Sequence, residues 1–134
     1  MNFEFEKEKM EGLGIAGIFL FGSQAQGAAG MSSDFDFAVL LDDRKVLSDY
    51  RLRNKIYNEL YDVLSAQIKR LCNIDMVFIQ SADLQFRYHV ARDGILLYMG
   101  NQKVISDFLE NTMESYADFA PIRRQFHEAI LRRI

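Results

Sequence analysis

The residues DFDFAVLL (34–41) are the strongest constraint in the chain. Their alternation predicts a strand with Phe35, Phe37 and Val39 on one face and Asp34, Asp36 and Ala38 on the other. A carboxylate carried into a core is costly unless it is paired or bound to a metal. Asp34 and Asp36 share a strand face with α-carbons roughly 6.5–7 Å apart, so their side chains can converge on one cation.

Two further stretches bear on that face. NIDMVFIQ (73–80) reads as another strand, with Asp75, Val77 and Ile79 on one side and Ile74, Met76 and Phe78 on the other. If the two strands are neighbours, Asp75 joins Asp34 and Asp36 in an all-oxygen, negative pocket that suits Mg²⁺. GIAGIFLFG (14–22) is a buried strand ending in Gly22-Ser23, from which a short helix is expected to start. A strand that turns through Gly-Ser into a helix presents backbone N–H groups and a favourable dipole to an anion. Gly22 leaves room for close approach, and the Ser23 hydroxyl offers one more donor.

The remaining pattern alternates between helix and strand. A short amphipathic helix is expected over Asn2–Glu11, a turn at Asp42–Lys45, and a long helix from Ser48 to about Leu71 with Ile56, Leu60, Val63, Leu64 and Leu71 on its apolar stripe. Ser81 is the expected N-cap of a helix over Ala82–Arg92 that stops at Gly94. ILLYM (95–99) is a fourth strand, followed from Asn101 by a helix with Val104, Phe108 and Leu109 inward. Pro121 marks a later helix start or kink, with Ile122, Phe126, Ile130 and Ile134 at helical spacing. The fold class is therefore α/β: a small, mixed, twisted sheet with helices packed mainly on one face, in a single domain over residues 1–134.

GSQAQG followed by DFD resembles the GS…DxD signature of the polymerase-beta-like nucleotidyltransferases, and the short length resembles their minimal (MNT) branch. SDFDFAVLL is similar to the family's metal strand, NIDMVFI to its third-carboxylate strand, and RDGILLY and YADFAPIRRQF to its closing strand and C-terminal helix. The resemblance implies an antitoxin that transfers AMP from ATP to a tyrosine of a HEPN ribonuclease toxin. On this implication Asp34, Asp36 and Asp75 hold two Mg²⁺ ions and form the catalytic set. Gly22, Ser23 and Gln26 hold the triphosphate. The family turn commonly carries arginines where this chain has Gln24 and Gln26, which bring no charge. Arg44, Lys45, Arg123 and Arg124 are candidate replacements. Two alternatives follow: an antitoxin that neutralises by binding alone, and a small-molecule nucleotidyltransferase of the aminoglycoside type.

Composition narrows the partners. The net charge of −3 argues against a protein that holds long nucleic acid through phosphate contacts. The single cysteine, Cys72, has no internal partner and no apolar run is long enough for a membrane span, so a cytoplasmic protein without membrane contact is expected. The resemblance to the MNT branch implies an oligomer, with itself or with the toxin. His89 and His127 lack ligand spacing, Cys72 is expected to fill the core, and Tyr57 and Tyr61 to pack together at i, i+4. The arginines Arg123, Arg124, Arg132 and Arg133 make the C-terminal end basic, either as a solvated face or as a contact for a partner protein.

Overall fold

The computed structural model describes residues 2–22, 24–25, 34–69 and 72–116. β1 (Ile15–Phe21), β2 (Phe35–Leu41), β3 (Ile74–Phe78) and β4 (Ile95–Met99) form one mixed sheet in the order β3-β2-β1-β4. β1 is antiparallel to β2 and β4, whereas β2 and β3 are parallel. A parallel pair needs a crossover that returns the chain to its starting end. The long helix α2 (Tyr50–Gln67) makes that return. α1 (Lys7–Gly12) precedes the sheet, α3 (Leu84–Asp93) links β3 to β4, and α4 (Gln102–Tyr116) follows β4.

The alternation read from the sequence decides which side chains meet which helix. Phe35, Phe37, Val39 and Leu41 of β2, with Met76 and Phe78 of β3, pack against Ile56, Leu60 and Leu64 of α2. Ala38 and Leu40 point the other way, with Phe19, toward Val90 and Ala91 of α3 and Ile105 and Phe108 of α4. The sheet is mixed, as expected, but its helices are shared between two faces rather than lying mainly on one. The reason is that β1 and β2 are apolar on both sides, so each side needs a cover. Gly17 lets α4 approach closely: a Cβ there would come within 3.0 Å of the Ile105 side chain.

Several element boundaries differ from those expected. Residues 2–6 are not helical. Phe3 instead sets its ring edge-on to Phe35 and Phe37, with centroids at 6.1 and 5.6 Å, and the helix begins only at Lys7. Ser48 ends a 3-10 turn over Arg44–Ser48, and Asp49 caps α2 by accepting from the Leu52 N–H. α2 stops at Gln67, and Leu71 lies outside the described residues. Ser81 does not cap α3. Its hydroxyl donates to the Phe78 carbonyl within a second 3-10 turn, and Asp83 caps the helix through the Phe86 N–H at 2.8 Å. α4 buries Ile105, Phe108 and Thr112. Asp43 serves its turn by accepting from the Lys45 N–H, and Asp42 accepts from the Asn101 amide. Tyr57 and Tyr61 stack with centroids 6.3 Å apart, Cys72 is half-buried against the core, and His89 is exposed. Pro121, His127, the C-terminal arginines and the apolar positions from Ile122 to Ile134 lie outside the described residues.

Two glutamine amides fasten the ends of the crossover. Gln67 exchanges hydrogen bonds with the main chain of Glu4: Glu4 N–H donates to its Oε1 at 2.7 Å and its Nε2 donates to Glu4 O at 2.8 Å. Gln80 does the same at Leu41, with distances of 3.1 and 2.6 Å. Each side chain thus takes the place of a strand residue. Gln80→Ala leaves a part-buried N–H and C=O without partners, which costs about 1–3 kcal/mol. Urea unfolding should show that loss with an unchanged slope; a shift within about 0.5 kcal/mol would contradict this role for Gln80.

Candidate active site

The register of the sheet assembles the site. Phe21 of β1 stands opposite Asp36 of β2, and Asp36 is in register with Asp75 of β3. In-register residues of adjacent strands share a face and lie about 4.8 Å apart. Phe21, Asp36 and Asp75 therefore form a row across three strands, at the end where β1 finishes and β2 and β3 begin. The expectation that Asp75 would come beside the first two aspartates required β2 and β3 to be neighbours, and they are.

Asp34 lies just before β2, exposed to solvent, and its Oδ1 accepts from the Asn73 N–H at 3.4 Å. This contact joins the approach to β2 with the approach to β3. Asp36 is half-buried, and its carboxyl is raised above the ordinary value of 3.8, first by burial and then by the negative fields of Asp75 and Asp34. Like charges held this close oppose ionisation. Among the described residues, no three His, Cys, Asp or Glu side chains close on one point as a finished metal site. What the row offers is an all-carboxylate donor set whose central member is short of positive charge, the chemistry that a hard divalent cation such as Mg²⁺ answers.

Gly22 is held tightly against this row. Its φ is +77°, and an added Cβ would stand 2.6 Å from Asp36 Oδ2. Glycine is required there on both counts, conformation and space. Beside it, the Phe21 ring meets Phe86 of α3 edge-on at 5.0 Å, making an apolar wall on the β1 side of the acids. Sequence reasoning missed that wall. The only signal for it was an aromatic residue one step before the glycine and another in the first turn of a helix. Ser23 and Gln26 lie outside the described residues, as do Arg123 and Arg124. Arg44 and Lys45 are not near the Gly22 turn. They follow the far end of β2, and the five residue steps from Asp36 to Leu41 alone span about 16 Å.

Residues 5–103 match the family model described as polymerase beta, nucleotidyltransferase. The chain belongs to the polymerase beta nucleotidyltransferase family. Among individual members it is 28% identical over 109 residues to the protein adenylyltransferase MntA of Aphanizomenon flos-aquae, covering 80% of this chain and 72% of the relative. Two solved structures share the nucleotidyltransferase fold. One is a toxin–antitoxin crystal structure with AMP-PNP (24% identity, TM-score 0.58, 95% of this chain and 99% of the matched chain). The other is a tri-AMPylated Shewanella oneidensis HEPN toxin in complex with an MNT antitoxin (23% identity, TM-score 0.53, 93% and 95%). Among the described residues, no helix is long and apolar enough to cross a membrane.

The raised Asp36 carboxyl has a measurable consequence. The unfolded chain releases this proton near pH 3.8, while the folded chain holds it to higher pH. Within that window the folded state binds more protons, so its stability falls as pH rises and stays lower above it. Without metal, Asp36→Asn should gain thermal stability over the parent chain as pH is raised from 3.5 to 7. A difference in melting temperature that is flat across that range would contradict the repulsion.

Proposed function

We propose that this nucleotidyltransferase is a Mg²⁺-dependent protein adenylyltransferase that uses ATP to modify a tyrosine of a HEPN toxin, and so acts as its antitoxin in the cytoplasm. The observation that carries the reading is the in-register pair Asp36–Asp75 with Gly22 pressed against it. The likeness to MntA supports the reaction class.

In this reading Asp34, Asp36 and Asp75 hold up to two Mg²⁺ ions, which when bound neutralise charge on the triphosphate and at the reacting oxygens. Gly22 gives the triphosphate access to the main chain beside Asp36, with Ser23 and Gln26 as further donors. The tyrosine oxygen attacks the α-phosphorus of ATP. The bond from that phosphorus to the oxygen bridging the β-phosphate breaks, and pyrophosphate leaves. The phenolic proton passes to Asp75 and on to water. Catalysis is then mostly positioning and charge neutralisation, since the chain supplies no covalent intermediate.

A second reading, neutralisation by binding alone, is favoured by Gln24 and Gln26 where charge would serve the phosphates. One experiment separates the two. With ATP, Mg²⁺ and the HEPN toxin of the same genome, intact-mass spectrometry should show AMP-sized increments on the toxin. Asp36→Asn should slow their appearance at least about a hundredfold. No increment with the parent chain, or an undiminished rate in Asp36→Asn, would refute the enzyme. Full neutralisation by an Asp34→Ala, Asp36→Ala variant would favour occlusion.

A further inference from the structure

Arg87 stands in the middle of the buried face of α3. Tyr88, Val90 and Ala91 are the buried residues of that helix. At about 100° per residue, Arg87 falls at the centre of the arc they span. Its neighbour Phe86 meets Phe21 edge-on at 5.0 Å, and Phe21 belongs to the row with Asp36. Val90 and Ala91, one turn on, pack in one cluster with Ala38, which follows Asp36 on the same face of β2. Arg87 is therefore bracketed by contacts to the acid-bearing face of the sheet.

A charged side chain on such a face is expected to have a partner. Among the described residues Arg87 has none. Its Nε is shielded from solvent and donates to no acceptor. The ion pairs among these residues leave it out. Asp83, one turn earlier, gives its carboxylate to the Phe86 N–H instead. Nor is the charge spent on the row, since burial, Asp75 and Asp34 are what act on the Asp36 carboxyl. The row and its turn, for their part, bring no positive side chain to a phosphate: the stretch from Gly22 to Asp36 contains neither lysine nor arginine.

We propose that Arg87 is a nucleotide-binding residue, and that its guanidinium takes the phosphate chain of ATP held between Gly22 and the row of acids. The proposal rests on the adenylyltransferase reading and adds the cation that its phosphate turn lacks. A planar guanidinium meets phosphate oxygens through paired N–H bonds, and shielding from water strengthens each of them. Without nucleotide the chain carries the cost of the unpartnered donor. Arg87 is thus a charge kept for a ligand rather than for the fold.

The test uses the full chain with Arg87→Leu, the conservative Arg87→Lys and, as a control on the same helix, Arg92→Gln, whose guanidinium is bound to Asp93. Calorimetry with Mg²⁺ gives the ATP affinity of each, and thermal unfolding without nucleotide gives its melting temperature. Arg87→Leu should weaken ATP binding at least about tenfold. Its melting temperature should hold or rise, because an unpaired charge has left a buried face. Arg87→Lys should recover part of the affinity, and Arg92→Gln should bind ATP within about twofold of the parent. ATP affinity in Arg87→Leu within about twofold of the parent, or an equal loss in Arg92→Gln, would overturn the proposal. So would an Arg87→Leu chain that melts several degrees lower or does not fold, since the charge then serves the structure. If the parent binds ATP but transfers no AMP to the HEPN toxin, the adenylyltransferase reading fails alone and the affinities still decide Arg87. A parent that binds no ATP overturns the role of Arg87 as well.

Discussion

The parallel pairing of β2 with β3 holds two carboxylates, Asp36 and Asp75, in register on one face of the sheet, and much of the remaining structure secures that repulsive arrangement. The opposite face supplies the attraction. Phe35 and Phe37 are fully buried among Phe3, α2 and the apolar side of β3, and each such ring contributes roughly 1.5–3 kcal/mol of burial. Charges on one side of a strand are thus kept in place by packing on the other. The two glutamine clamps add to this at the ends of the crossover, where Gln67 binds the chain before α1 and Gln80 binds the end of β2.

The site weakens the fold that carries it. Asp36 is partly withdrawn from water and faces two like charges, while Gly22 takes a backbone conformation open mainly to glycine. Functional positions are where local rules are expected to break. If the row takes up a cation, as proposed, the ion would relieve the repulsion and couple binding to stability. An ion held at 100 times its Kd adds about 2.7 kcal/mol.

The period-2 alternation made the strand faces legible. It placed Asp36 with Ala38 and Asp75 with Val77 before any pairing was known. The pairing itself was not legible, since register depends on how α2 returns the chain. Helix starts failed where two good capping residues stood close together. Ser81 was the expected cap, but a 3-10 turn used its hydroxyl and passed the role to Asp83. At the N-terminus, Phe3 and Phe5 looked like one face of a helix. Tertiary contact with Phe35 and Phe37 drew that segment out instead. The cations Arg44 and Lys45 were candidates by charge alone, and charge says nothing of which end of a strand a residue follows. Gly22 reads from the sequence as a turn suited to phosphate, yet its tight fit against Asp36 is a property of the β1–β2 pairing that no local pattern records.

The central claim is that Asp34, Asp36 and Asp75 act together as one cation site beside Gly22. Crystals grown with Mn²⁺ and a non-hydrolysable ATP analogue, measured for anomalous scattering, test it most directly. The predicted result is manganese bonded to carboxylate oxygens of Asp36 and at least one of the other two aspartates, with the triphosphate against Gly22. Bound nucleotide without manganese at these aspartates, or manganese held elsewhere on the chain, would contradict it.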